Sequence, residues 1–203
     1  RGSADKIFIN TSGVGVVYDN FHVSGNNAKP GDRIIMSGTM ADHGITVLTQ
    51  REGMAFDTTI CTDSAPLNHM VEKIVKTGAE VHVLRDPTRG GVGTTLNEIA
   101  GQSKVTLKLY EKNLPVKNEV AGVCELLGFD PLYVANEGKL LVFAAEKDAD
   151  RVLSAVRQDE YGKDAVIIGE VLEKSEGQVI METRIGGSRI VDMLTGEQLP
   201  RIC

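Results

Sequence analysis

No tryptophan occurs in the 203 residues, and aromatic side chains make up only 4% of them. A base-stacking platform for single-stranded nucleic acid needs such rings. The chain also lacks the basic excess that phosphate-backbone binding requires. Its 28 acidic residues against 22 lysines and arginines leave a formal charge of −6, so nucleic acid is excluded as the main partner. No apolar run approaches bilayer length and no leader pattern opens the chain, so no membrane association is expected. Cysteine is scarce. Cys61, Cys124 and Cys203 are odd in number and far apart, which suits neither a disulfide framework nor a zinc site. The expectation is a reducing, cytoplasmic compartment, with no metal-ligand set among the site residues. A core is not lacking: 41% hydrophobic and 25% charged residues are the composition of a globular domain with a real interior.

Patterning divides the chain. Residues 6–10 read as a strand and 13–18 as extended, while residues 24–31 (Ser-Gly-Asn-Asn-Ala-Lys-Pro-Gly) carry the strongest linker signal. The first 26 residues are therefore expected to be the edge of a preceding domain, since so short a piece cannot bury a core. Residues 27–194 then alternate. Strands are expected at 33–38, 81–84, 105–109, 140–144, 166–171, 178–183 and 189–193. Helices are expected at 45–51, 66–77, 90–100, 116–127 (closed by Gly128) and 149–158. This is an α/β (α+β) class with a layered mixed sheet and flanking helices. Residues 195–203 have no period and read as a tail.

Four places could carry chemistry. Cys203 is a thiol on a Pro-containing tail, where packing cysteines do not belong. It is either an incidental exposed thiol or a working nucleophile. The α-carboxylate beside it should raise its pKa, so it would need a base or a sheltering pocket. Asp86-Pro87-Thr88-Arg89-Gly90-Gly91 follows a strand and opens a helix. Glycine amides and Arg89 could hold a phosphate there, and Asp86 a magnesium ion. A tight turn capped by Asp86 or Thr88 would look the same. Ser37-Gly38-Thr39 with Asp42-His43-Gly44 is a second such junction, in which His43 could be acid, base or phosphate ligand, or a surface histidine at a capped helix start. Asn136-Glu137-Gly138-Lys139 interrupts two apolar runs. A half-sheltered Glu137 could serve as a base, and a plain polar turn is the alternative.

Taken together and in order, these segments resemble the C-terminal part of the HypE family, the carbamoyl dehydratases of [NiFe]-hydrogenase maturation. The resemblance rests on them and on Phe8-Ile9-Asn10-Thr11, Leu114-Pro115-Val116-Lys117, Cys124-Glu125-Leu126-Leu127-Gly128 and the terminal Pro200-Arg201-Ile202-Cys203, and it spans nearly the whole chain. It implies a PurM-like C-terminal domain and an ATP-dependent dehydration, in which a carbamoyl group received by Cys203 from HypF becomes a thiocyanate. The cyano group then passes to iron on the HypC–HypD complex. It also implies that Glu137 lies near Cys203. Residues facing the nucleotide would be Asp86, Thr88, Arg89, Gly90, Gly91, Asp42, His43 and Asn136. The family's N-terminal domain, which holds most ATP and Mg²⁺ ligands, a lysine near the cysteine and the homodimer contacts, would precede this chain. The chain alone is then expected to be inactive. A tail-presenting binding module, or another PurM-like ATP-dependent synthetase acting on a free small molecule, are the competing readings.

Overall fold

The computed structural model describes residues 10, 12–51 and 60–196. Their strands are β1 (Asp32–Met36), β2 (Val81–Arg85), β3 (Val105–Tyr110), β4 (Leu141–Ala145), β5 (Val166–Lys174), β6 (Gln178–Glu182) and β7 (Ser188–Ile190). The helices are α1 (Asp42–Arg51), α2 (Asn68–Lys76), α3 (Gly91–Ser103), α4 (Asn118–Leu127) and α5 (Glu146–Arg157). The strands form one sheet in the order β2-β4-β1-β5-β3-β6-β7. All described pairs are antiparallel except β3–β6. The expected α/β class with a mixed sheet and flanking helices is the one observed.

β1 is central, between β4 and β5, and Ile34, Ile35 and Met36 are wholly enclosed. A strand covered on both faces reads as a continuous apolar run rather than an alternating one. One face packs α3 through Val92, Leu96 and Ile99 against Ile34, Leu107, Leu109 and Phe143. The other carries α2 and α5, with Met70, Ile74, Val152 and Val156 against Ile35, Val142 and Ala144. A third cluster joins α1 to α4 through Ile45, Val120, Val123 and Cys124. Gly128, at φ 72°, closes α4 with Phe129 N–H donating to the Cys124 carbonyl.

Several boundaries differ from the sequence expectation. α1 begins at Asp42 and α5 at Glu146, each three residues earlier, because their polar first turns carry no apolar period. β5 runs on to Lys174, while β7 is confined to Ser188–Ile190. Residues 13–18, expected to be extended, join no ladder of the described sheet, and Val14, Val16, Val17 and Tyr18 are exposed. The glycine-rich stretch 24–31 is tied to the body. Ser24 N–H donates to the His82 carbonyl, and Ser103 Oγ accepts from Ala28 N–H while donating to the Gly25 carbonyl. The expected strand at 6–10 falls outside the described residues save Asn10. Most of the tail, Cys203 included, also lies outside them.

Candidate functional site

Strand direction gathers the site. β4 runs antiparallel to both β1 and β2, with Leu141 opposite Met36 on one side and Arg85 on the other. The chain leaving β1, the chain leaving β2 and the chain entering β4 therefore share one end of the sheet. These are three of the four segments singled out in the sequence.

Asn136 joins them. It is fully buried. Its Oδ1 accepts from the Ala41 N–H at 2.8 Å, and its Nδ2 donates to the Pro87 carbonyl at 2.9 Å and the Val134 carbonyl at 3.3 Å. One carboxamide thus fixes the 37–44 loop, the 86–91 loop and its own turn. The geometry gives Asn136 a loop-positioning part, with its amide already committed to protein groups. Ala41 sits at φ 73°, uncommon for a residue with a Cβ, and the bond to its N–H helps hold it there. The close approach also needs glycines. A Cβ on Gly44 would stand 2.4 Å from Val134 Cγ1, and one on Gly91, at φ 62°, 2.5 Å from the Leu132 carbonyl oxygen.

The next residue, Glu137, is half-buried and directly follows the residue that bonds to both loops. Its backbone N–H donates to Asp63 Oδ1 at 3.2 Å. Among the described residues no cation pairs with its carboxylate. Lys139 is buried, and its ammonium lies 3.3 Å from Asp63 Oδ2. A Cβ on Gly138 would collide with the Asp63 carbonyl oxygen at 1.9 Å, so residues 63–65 lie directly on this turn. The sequence reading missed Asp63, 74 residues from Glu137 in the chain, and gave Lys139 no role although it stood in the motif.

In the first loop, Asp42 is 1% exposed. Its Oδ2 accepts from Thr39 Oγ1 and lies 3.3 Å from the Lys117 ammonium, while Oδ1 is enclosed without a hydrogen bond. His43 is half-buried, with Nδ1 2.8 Å from Thr62 Oγ1. In the second loop, Gly90 at φ 71° and Gly91 turn the chain into α3. Asp86 and Arg89 are exposed and Thr88 is partly so. Arg89 has no ion-pair partner among the described residues, and Thr94 Oγ1, in the first turn of α3, is buried without a hydrogen bond. An exposed guanidinium beside two glycines at a helix N-terminus is a donor set that fits a phosphate chain. Among the described residues no three His, Cys, Asp or Glu side chains gather as a metal-holding group. A magnesium ion would thus find at most isolated carboxylates here.

The described chain ends near the same mouth. The Tyr133 hydroxyl donates to the Asp192 carbonyl at 2.8 Å, Asn97 Nδ2 donates to the Val191 carbonyl at 2.8 Å, and Arg189 pairs with Asp130 at 2.7 Å. Burial, and then the charge of Asp130, push the Tyr133 phenol above its usual range. Of the remaining cysteines, Cys61 is exposed on the segment bearing Asp63. Cys124 is buried, and its thiol is pushed up to about 11 by desolvation. His82 lies at the opposite end of the sheet, its Nδ1 2.9 Å from Asp32 and its Nε2 3.0 Å from Glu80.

The chain is 51% identical over its whole length to the carbamoyl dehydratase HypE of Azotobacter vinelandii, of which it covers 60%. It is 52% identical to the HypE of Cupriavidus necator, of which it covers 58%. The chain thus spans under two thirds of these relatives. A solved HypE in complex with ATP superimposes with a TM-score of 0.84 at 50% identity, over 89% of this chain and 55% of that one. A HypE–HypF complex superimposes with 0.84 at 49% identity, over 88% and 58%. Residues 29–182 match the model of the AIR synthase related protein C-terminal domain, and it is to this family that the chain belongs.

Proposed function

We propose that the protein to which this domain belongs is an ATP-dependent carbamoyl dehydratase of hydrogenase maturation, working on a carbamoyl group carried by Cys203. The observation that carries this reading is the anchorage of the last described stretch to the segment that leads into Glu137. The Asp192 carbonyl is held by Tyr133, four residues before Glu137. From Asp192 about eleven residues remain to Cys203. At about 3.3–3.6 Å per residue they can span roughly 35–40 Å. The distance from Tyr133 to Glu137 is at most about 15 Å along four residues. A tether of that length is long enough for the thiol to reach Glu137, and long enough to meet a donor or acceptor away from it.

An amide oxygen is a poor leaving group, and ATP supplies the phosphoryl group that makes it a good one. The oxygen then departs as phosphate, the two N–H protons are given up, and S–C(=O)NH₂ becomes S–C≡N. Glu137 takes those protons, and before them the thiol proton. The 86–91 loop, through Arg89, Thr88 and the Gly90 and Gly91 amides, orients the phosphates. The 37–44 loop closes the other side with Asp42 and His43. Asn136 holds both loops at one distance, which keeps the phosphoryl donor and the base in fixed relation. Mg²⁺ would come with the nucleotide, most of its ligands being supplied by a preceding domain that also forms a homodimer. The known HypE–HypF complex supports HypF as a partner, and its proposed role is that of carbamoyl donor. The HypC–HypD complex is the proposed cyanide acceptor, and the setting is cytoplasmic.

Intact-mass analysis of the full-length protein tests this. Incubation with the carbamoyl donor system should add one carbamoyl group to the Cys203 peptide, and ATP should then remove one water. ATP turnover with the chain mass unchanged would point instead to a synthetase acting on a free small molecule. No turnover and no mass change would leave a tail-presenting binding module.

A further inference from the structure

Among the described lysines and arginines, Lys139 alone is buried, at 7% exposure. Among the described residues its one ion-pair partner is Asp63, with side-chain exposures of 8% and 4%. The pair is close, at 3.3 Å, but not hydrogen-bonded: Asp63 Oδ2 is fully enclosed and has no hydrogen-bond partner. An ammonium carries three donors and no acceptor, and none of the three is spent on a described residue. Buried polar groups left in this condition are costly and uncommon in folded proteins. The enclosed Asp63 oxygen is in this condition, beside a half-buried Glu137 and a lysine whose donors no described residue takes, and the cluster calls for a ligand.

The surroundings say what kind of ligand. The Lys139 stem lies along Gly38, where an added Cβ would stand 3.3 Å from Cε and 3.5 Å from Cδ. Gly38 therefore lets the stem lie along the 37–39 loop with no side chain of residue 38 between them. A lysine ammonium whose donors no described residue takes, set close to a glycine, suits a compact anion with several oxygens. Asp63 and Glu137 both oppose an anion, and Asp63 does so most directly.

We propose that Lys139 is an anion-binding residue that takes an oxygen of a phosphoryl group, and that Asp63 is its counterion while the site is empty. Naming the phosphoryl group as the physiological anion rests on the dehydratase reading. The site itself rests on the buried pair. Asp63 does double duty, since its other oxygen holds the Glu137 N–H. Anion arrival at Lys139 and the placement of Glu137 are thus tied through one carboxylate.

The probe is inorganic phosphate, titrated into the full chain while the amide resonances of Gly38, Gly138 and Lys139 are followed, with potassium chloride at matched ionic strength as control. Phosphate should give saturable shifts that chloride does not. Lys139→Met should lose them. Asp63→Asn keeps an acceptor for the Glu137 N–H and removes only the competing charge, so phosphate should bind about tenfold tighter, the effect of one nearby charge in a partly sheltered site. If Lys139→Met does not fold, Gly38→Ala, which crowds the Lys139 stem, should weaken phosphate several-fold in a folded chain. Equal shifts with chloride, retention in Lys139→Met or in a folded Gly38→Ala, or unchanged or weaker binding in Asp63→Asn would each overturn the proposal. Glu137→Gln should still bind phosphate. Phosphate binding lost with Lys139, together with full dehydration by Glu137→Gln, would leave this site standing and remove the assignment of Glu137 as base.

Discussion

The Tyr133 hydroxyl donates to the Asp192 carbonyl at 2.8 Å, which moors the chain's last described stretch four residues before Glu137. The ring itself is wedged against α3, where a Cβ on Gly93 would stand 2.7 Å from Tyr133 Cε1. Tyr133→Phe keeps the ring and removes only the mooring. Because the Asp192 carbonyl is accessible to water, the stability loss should be at most about 1 kcal/mol. Amide exchange across residues 192–196 should rise several-fold, with Val191 less affected because Asn97 still holds it. Unchanged exchange would show that the mooring lies elsewhere.

Asn136 should behave as a structural joint. Asn136→Ala strands the buried Ala41 N–H and removes the donor to the Pro87 carbonyl. Orphaning such groups costs about 2–4 kcal/mol together, or roughly 5–15 °C in the midpoint for a domain of this size. Asn136→Asp keeps the acceptor for Ala41 but sets a carboxylate oxygen against the Pro87 carbonyl, and should be no better. A midpoint within 2 °C of the parent for either variant would contradict the joint.

The thiols should separate by chemistry. Desolvation raises Cys124 to about 11 from an ordinary value of 9.0. At pH 8 a thiol reagent should modify Cys61 quickly and leave Cys124 untouched in the folded chain. A raised folded-state pKa means that the unfolded chain loses its proton first. The contribution is therefore fully present below about pH 9 and is lost as pH climbs toward 11. Two units correspond to about 2–3 kcal/mol. Denaturant midpoints at pH 8 and pH 10.5 should fall farther apart in the parent than in Cys124→Ala, and equal separations would refute the coupling.

The strand and helix order was legible because apolar periodicity is local, as in Met70 with Ile74 on α2 or the unbroken Ile34-Ile35-Met36 run of β1. Boundaries slipped where polar first turns such as Glu146-Lys147-Asp148 carry no period. The three site segments could be named from glycine, proline and charge, but what unites them could not. Asn136 acts through main-chain groups of Ala41 and Pro87, and main-chain groups leave no mark in a sequence. Asp63 was invisible for a related reason. It meets Glu137 only once residues 63–65 fold over Gly138, a contact made possible by the missing Cβ rather than by any side chain.

Glu137 bears the sharpest expectation. It follows the joint that fixes both loops, it is half-buried, and among the described residues no cation claims its carboxylate. A carboxylate neutralised by a tight ion pair would be a poor base, and in the proposed reaction this one acts on a thiol or an amide carried by the tail. Glu137→Gln retains size and hydrogen bonding and removes basicity. Its backbone N–H still reaches Asp63 Oδ1, so the turn and the midpoint should be preserved. In the full-length protein, nucleotide binding should be unchanged, since the 86–91 loop is untouched. Single-turnover dehydration of the carbamoylated tail should slow by about 10²–10⁴, the usual cost of losing a general base. The carbamoylated form should then accumulate in intact-mass spectra. Glu137→Asp keeps the charge one methylene short and should recover part of the rate, which a purely structural role for Glu137 would not explain. Dehydration by Glu137→Gln within a few-fold of the parent would place the base elsewhere in the protein.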